Sequence, residues 1–114
     1  MSTASDEADV LAKIELMVEP DRSIAERIHA VVTSNAPDLS PKLWYGQPAY
    51  ARKGKVLCFF RSGHDDGEPY STLGFTPEAD LDDASGLWPT SYAVSRLSDT
   101  AVEAITALVR RAVG

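Results

Sequence analysis

The sequence has very little cysteine and no long hydrophobic run, and each absence excludes a class of protein. Cys58 is the single cysteine among 114 residues, so an intramolecular disulfide and a metal centre built from several cysteines are both excluded. No stretch approaches the run of about eighteen apolar residues that suggests a transmembrane helix. The acidic N-terminus, MSTASDEADV, lacks the basic and apolar regions of a signal peptide. We therefore expect a cytoplasmic protein.

Positive charge is also scarce. The chain has 11 Lys and Arg residues against 17 Asp and Glu residues, a formal net charge of −6. This balance disfavours non-specific binding to nucleic acid or to an anionic membrane, so we expect neither as a partner. A monomer and a homodimer both remain open.

Sequence motifs of the common catalytic classes are missing as well. The chain contains no Gly-x-Ser-x-Gly, no P-loop, no dinucleotide-binding fingerprint and no His-Glu-x-x-His. We therefore assign no catalytic residue and expect no cofactor. A small enzyme remains a possible class, and it would need His64 or Cys58 in contact with a partner side chain.

Apolar residues recur at helical spacing in three segments, and each segment predicts an amphipathic helix. The approximate bounds are residues 6–18, 21–35 and 98–112. The N-cap of the second helix is Asp21 or Ser23, the latter as a capping box with Glu26, and that of the third is Ser98 or Thr100. The buried side chains expected in the second helix are Ile24, Ile28, Val31 and Val32.

Short segments rich in aromatic and β-branched residues predict five strands between the second and third helices. Lys53-Gly54-Lys55 is expected to form a hairpin turn, and the connection TPEADLDDASGLWP to include one helical turn. Connections this short favour antiparallel pairing. We predict one α+β domain spanning residues 1–114, with a frayed segment 1–5 and helices covering one face of the sheet. The predicted strands are residues 43–45, 49–52, 56–61, 70–75 and 91–97.

The segment LWYGQPAY, residues 43–50, predicts a sharp bend. Gly46 permits backbone conformations that a Cβ would hinder, and Pro48 fixes its own φ. Trp44 and Tyr45 should then point to opposite sides of a strand. Two interpretations follow: a structural corner, or a corner that also forms the wall of an aromatic pocket for a small ligand or a protein partner. The pocket residues we predict are Trp44, Gln47, Tyr50, Tyr70, Trp88 and Tyr92.

The stretch WYGQPAYARKGKVLCFF resembles the W-x-G-x-P-x-[YF] signature of the DUF1801 family, also called the YdhG-like family. The later stretch YSTLGFTPEADLDDASGLWPTSYAV resembles one branch of it. The resemblance covers roughly residues 31–113 and implies a small cytoplasmic α+β domain. Some relatives are labelled frataxin-like intracellular iron chaperones. Typical members carry a His and a Tyr-Pro after the long strand; here His64 is present and the Tyr-Pro is not.

An acidic stretch provides the basis for an iron-binding alternative. Carboxylates are hard ligands that suit iron or another divalent cation, and a solvated acidic surface is the competing interpretation. The metal ligands predicted under this alternative are Asp65, Asp66, Asp82 and Asp83.

Four other features have structural interpretations that compete with functional ones. We expect Cys58 to be an inert buried side chain of the central strand, His64 to be an exposed loop residue and His29 to flank the second helix. The basic residues around the predicted hairpin either bind an anion or protect an edge strand from aggregation. These basic residues are Arg52, Lys53, Lys55 and Arg61.

Overall fold

A computed structural model describes residues 3–114 and shows three helices and five strands in the predicted order. The α+β fold class is confirmed. In chain order the elements are α1 (Thr3–Glu15), α2 (Asp21–Asn35), β1 (Ser40–Trp44), β2 (Gln47–Arg52), β3 (Lys55–Arg61), β4 (Ser71–Phe75), β5 (Ser91–Val94) and α3 (Asp99–Ala112).

The five strands form one antiparallel sheet in sequence order, β1-β2-β3-β4-β5. β3 is therefore the central strand, and β2 and β3 both have neighbours on each side. Two-residue turns join β1 to β2 and β2 to β3. The turn residues are Tyr45-Gly46 and Lys53-Gly54, and all four have positive φ, the geometry of the hairpin turns that match the twist of a sheet.

One hydrophobic core lies between the helices and the sheet. It takes side chains from all three helices and from β2 to β5. The apolar stripe predicted for α2 is confirmed, because Ile24, Ile28, Val31 and Val32 are all buried. Tyr50 of β2 and Phe60 of β3 are the largest fully buried side chains of this core.

A second, smaller cluster lies on the opposite face of the sheet. Ala49 and Ala51 belong to it, whereas Tyr50 between them belongs to the main core, as the alternation of side chains along a strand requires. Trp44 and Phe59 pack over the alanines, with ring centroids 5.3 Å apart. The ring of Phe59 lies where a Cβ on residue 74 would be, 2.3 Å from its Cζ, so Gly74 makes room for it.

Several local predictions are corrected by the structure. The N-cap residue of α2 is Pro20, not Asp21 or Ser23, and it makes no side-chain cap hydrogen bond. The Glu19 carboxylate instead accepts the Ser23 backbone N–H at 3.0 Å. The connection at residues 76–90 contains turns and no helical turn. α1 begins at Thr3, within the segment expected to fray; residues 1 and 2 lie outside the described part of the chain.

Other local predictions hold. Ser98 is the N-cap of α3, and its side chain accepts the Ala101 backbone N–H at 3.2 Å. Lys53-Gly54 forms the predicted hairpin turn. Within residues 3–114 no helix is both long and apolar enough to cross a lipid bilayer.

Candidate functional site

The predicted bend at Gly46 is the β1–β2 hairpin turn. Trp44 and Gln47 face each other as the last residue pair of the ladder, and Tyr45 and Gly46 form the turn with φ of 53° and 75°. The expectation that Trp44 and Tyr45 alternate along a strand is therefore wrong, because Tyr45 lies in the turn. The ring of Tyr45 is 86% exposed and packs edge-on against Trp44 at 4.8 Å.

The single pocket predicted for six residues is not formed. Trp44 and Gln47 are paired across the ladder, so their side chains lie on the same face of the sheet, the face of the smaller cluster. Tyr50 is three positions after Gln47 on β2 and therefore points to the opposite face, where it is buried in the main core. The sheet itself separates the two sets. Tyr70 lies elsewhere again, lining a cavity of 210 Å³ with His64 and Ser71.

Tyr50 takes part in a hydrogen-bond chain that links three elements and runs from the buried Tyr50 to the partly exposed Glu7. Its hydroxyl lies 2.9 Å from Nδ1 of His29, and Nε2 of His29 lies 2.9 Å from Oε2 of Glu7. A carboxylate only accepts, so Nε2–H donates to Glu7. In the tautomer that carries its single proton on Nε2, Nδ1 accepts the hydrogen of the Tyr50 hydroxyl. Burial raises the pKa of Tyr50 well above its ordinary value. The expectation that His29 merely flanks α2 is wrong, since its side chain joins α2 to β2 and α1.

The groups that a small enzyme would need have other partners or none. Cys58 is fully buried on the central strand, as predicted, and burial raises the pKa of its thiol to about 12. Ser62 donates its hydroxyl proton to Asp21 rather than to an imidazole. His64 is exposed, as expected. Among the side chains that the structure describes, neither Cys58 nor Ser62 is hydrogen-bonded to an imidazole.

A small hollow does lie beside the β1–β2 turn, with a volume of 180 Å³, and Gln47 lines it. Its charged groups pair with one another: Lys13 with Asp65 at 3.6 Å, and Arg61 with Asp66 at 3.2 Å. Both carboxylates that we predicted as metal ligands here are therefore paired with a cation of the protein.

The other two predicted metal ligands lie in a different place. Asp82 lines a separate cavity, and Asp83 accepts both the side-chain and the backbone hydrogen of Ser85, which lowers the pKa of its carboxyl. The fold does not bring the two acidic pairs together. Across residues 3–114 the structure contains no group of three or more His, Cys, Asp or Glu residues that could hold a metal ion.

The β4–β5 connection forms most of the wall of another cavity. The backbone N–H of Phe75 donates to Thr90 at 2.7 Å, and the Thr76 hydroxyl donates to the carbonyl of Val56 at 2.6 Å. These bonds hold both ends of the connection at the end of the sheet. The side chains of Ala79 and Leu81 then turn inward and are buried.

This cavity, which we call the Trp88 cavity, has a volume of 310 Å³. Most of its wall is aromatic or aliphatic, and its polar side-chain groups are two hydroxyls, the indole N–H of Trp88 and the carboxylate of Asp82. Tyr92 supports the wall from behind, edge-on to Phe75 with centroids 6.1 Å apart. The lining residues are Phe75, Thr76, Pro77, Ala79, Leu81, Asp82, Trp88 and Thr90.

Of the six predicted pocket residues, Trp88 lines the Trp88 cavity and Tyr92 lies behind it. The sequence analysis missed Phe75 and Leu81. Leu81 had a readable signal, because an isolated apolar residue between acidic neighbours in a polar connection is expected to turn inward. Phe75 had no comparable signal in the sequence, since every strand of the sheet contains an aromatic residue.

A larger hollow of 570 Å³ runs between α2 and the start of α3. It is an open groove whose apolar floor includes Ile24 and Val102 and whose margins carry both charge signs, from Arg27 to Asp99. None of the predicted pocket residues lies in it.

Comparison of the chain with models of protein families, with curated proteins and with solved structures found no match.

Proposed function

We propose that this protein is a small-molecule-binding domain and that the ligand occupies the Trp88 cavity. The observation that supports this proposal most directly is the composition of the cavity wall. Phe75, Leu81 and Trp88 supply apolar area, and few polar groups interrupt it, which is the usual composition of a ligand site. The volume of 310 Å³ lies at the lower end of the range of about 300–1,000 Å³ that such sites have.

The chemistry of the wall indicates the kind of ligand. The indole of Trp88 offers a face to an aromatic ring or to an organic cation. Asp82 is the one charged side chain among the lining residues, and it accepts hydrogen bonds but cannot donate them when ionised. We therefore propose a compact ligand with an apolar body and a donor group, such as a primary ammonium.

The experiment uses the two tryptophans as separate reporters. In Trp44→Phe the remaining indole is that of Trp88, which lines the cavity. In Trp88→Phe the remaining indole is that of Trp44, which lies with the smaller cluster on the second face of the sheet. We expect benzylammonium to change the fluorescence of Trp44→Phe in a saturable way and to leave Trp88→Phe unchanged. Benzyl alcohol, the neutral analogue, should bind more weakly, and Asp82→Asn should remove the difference.

A variant that fills the cavity provides the matched control. Ala79 is buried and lines the cavity, so Ala79→Leu places side-chain atoms in the space that a ligand would use and removes no polar group. We expect the folded protein to persist and benzylammonium binding to be lost. If neither probe gives a saturable change at millimolar concentration, or if Ala79→Leu binds as the parent does, the proposed site is wrong.

Two further assignments are proposals of the same kind. We propose membership of the DUF1801 family, on the spacing of Trp44, Gly46, Pro48 and Tyr50. We propose a cytoplasmic location because Cys58 is a free thiol, whereas small secreted domains commonly use disulfides. The iron-binding alternative gains no support from the geometry, because its four carboxylates lie in two separate places.

A further inference from the structure

A separate cavity at the β2–β3 hairpin concentrates positive charge in an otherwise acidic protein. Its volume is 220 Å³, and its lining residues are Arg52, Lys53, Lys55, Leu57 and Glu78. The chain has 11 basic residues against 17 acidic ones, yet three of the basic residues stand within four positions here. Neither lysine of this cavity forms an ion pair among the salt bridges of residues 3–114.

The simplest structural explanation of these lysines does not apply. Lysines beside a turn protect an exposed edge strand from pairing with other molecules. Here β2 and β3 are interior strands with hydrogen-bonded neighbours on both sides. No edge needs protection at this hairpin, so edge protection does not account for the positive charge of these exposed lysines.

Lys53 also occupies a backbone position that does not suit it. Its φ is 52°, in the left-handed region where a side chain with a Cβ is strained. Asn or Asp with Gly is the favoured pair in a two-residue turn of this kind. A lysine at this place costs conformational energy, as does Tyr45 with a φ of 53° in the β1–β2 turn, so Asn is the more favourable residue here.

Arg52 also lines the cavity and is hydrogen-bonded to the residue that follows α3. One guanidinium nitrogen, Nη2, donates to the carbonyl of Val113 at 2.6 Å. Its Nε–H is buried without a hydrogen-bond partner. The hydrogen bond to Val113, the C-cap residue of α3, anchors the guanidinium beside the cavity, and the buried Nε–H is not accessible to a ligand there.

From these observations we propose that the hairpin cavity binds the phosphate group of a small molecule. Two flexible ammonium groups and one fixed guanidinium provide the charge and the donors that a phosphate requires. Glu78 is the single acidic lining residue; it repels a dianion and accepts a hydrogen bond from a protonated phosphate oxygen. This site shares no lining residue with the Trp88 cavity, so the two proposals stand or fall independently.

The test is a titration with inorganic phosphate at constant ionic strength, followed through backbone amide resonances by nuclear magnetic resonance. Constant ionic strength is needed because salt screens exposed charges. We expect saturable shifts at residues 52–57 and at Glu78. Lys55→Gln should weaken binding by about threefold, and Lys42→Gln, a lysine of β1 outside the cavity, should leave it unchanged.

Two more variants separate binding from folding. Lys53→Asn should weaken phosphate binding and at the same time raise the thermal midpoint, since Asn tolerates positive φ better than Lys. Glu78→Gln should strengthen binding. Phosphate shifts that are absent, that spread over all basic residues, or that persist unchanged in a Lys53→Asn/Lys55→Gln variant would overturn the proposal. Equal shifts with acetate would show a general anion site instead of a phosphate site and would also overturn it.

Discussion

The side chains of the segment from Trp44 to Tyr50 divide among a turn and two faces of the sheet. Gly46 has the positive φ that the hairpin turn requires, Tyr50 is buried against His29, and Trp44 packs on Phe59. Each of these residues has a structural reason to be what it is. The spacing of the motif therefore identifies a hairpin, and it does not identify a ligand.

Tyr50→Phe tests the buried hydrogen-bond chain at the scale of a single residue. Removal of the hydroxyl leaves Nδ1 of His29 without a partner in a buried position. An unsatisfied buried polar group costs about 1–3 kcal/mol, so we expect the free energy of unfolding to fall by about that amount. Urea titration followed by far-UV circular dichroism measures it.

Tyr45→Phe is the matched control for that experiment, because the same hydroxyl is removed from a side chain that is 86% exposed. We expect a change within about 0.5 kcal/mol, as is usual for exposed substitutions. Equal effects of the two variants would mean that the contact between His29 and Tyr50 does not stabilise the fold.

The same residues show how far sequence reasoning reaches at this scale. Burial of Ile24, Ile28 and Cys58 follows from local pattern and was predicted. The partners of His29 did not follow, because Tyr50 and Glu7 are 21 and 22 positions away. The packing of α2 against the sheet brought these three side chains together.

At the scale of elements, one carboxylate ties the start of α2 to the loop after β3. Oδ2 of Asp21 accepts the Ser62 hydroxyl and the backbone N–H of His64 at 3.1 Å. Ser71 extends this group by accepting the backbone N–H of Gly63 at 3.0 Å. Gly63 has no room for a side chain, because a Cβ would lie 2.1 Å from the carbonyl oxygen of Tyr70.

Asp21→Asn should weaken this junction in a pH-dependent way. Burial alone would raise the pKa of Asp21, but the hydrogen bonds from Ser62, His64 and Ser71 outweigh it and lower the pKa below 3.8. A carboxyl whose pKa is lowered in the folded state contributes stability above its unfolded pKa and loses it as pH falls. We expect a loss of about 2 kcal/mol at pH 7 that shrinks as the pH falls below about 3.8.

Parallel urea titrations at pH 7 and at pH 3 measure this difference. Asp38→Asn serves as the control, because Asp38 is exposed in the connection between α2 and β1, and it should change stability little at either pH. An Asp21→Asn effect of the same size at both pH values would contradict the assigned role of the charge.

Element order and type were predictable because they depend on local pattern. Apolar spacing gave the bounds of α2, and Lys53-Gly54 gave one hairpin turn. The N-cap of α2 was not predictable from capping-box spacing, since Glu19 lies upstream of the helix and reaches Ser23 across four residues. The β1–β2 hairpin turn was harder to predict, because Tyr45 is an unusual residue at positive φ.

At the scale of the whole molecule, the alternation of side chains in β2 decides which aromatic residues can meet. No local rule in the sequence specifies which of the two sheet faces the helices cover. Trp44 and Tyr50 differ by an even number of positions, yet the two-residue turn between them reverses the chain and places them on opposite faces. The predicted pocket failed for this reason, and the Trp88 cavity arises from a connection whose path the sequence did not reveal.

The continuity of the main core leads to the last prediction, which concerns cooperativity. Side chains of all three helices and four strands meet in one cluster, and Trp88 packs against it from the β4–β5 connection. A single-core domain of this size is expected to unfold in one step. We expect urea midpoints from Trp44 fluorescence, from Trp88 fluorescence and from far-UV circular dichroism to coincide, measured in Trp88→Phe and Trp44→Phe proteins.

An earlier transition for Trp88 alone would contradict that expectation and would show that the connection detaches before the sheet unfolds. The distinction matters for the proposed ligand. If the connection unfolds with the rest, a ligand in the Trp88 cavity stabilises the whole domain by RT ln(1 + [L]/Kd). In the Trp44→Phe protein, which keeps the complete cavity wall, benzylammonium should then raise the midpoints from Trp88 fluorescence and from far-UV circular dichroism together, whereas a detached connection would confine the rise to the Trp88 signal.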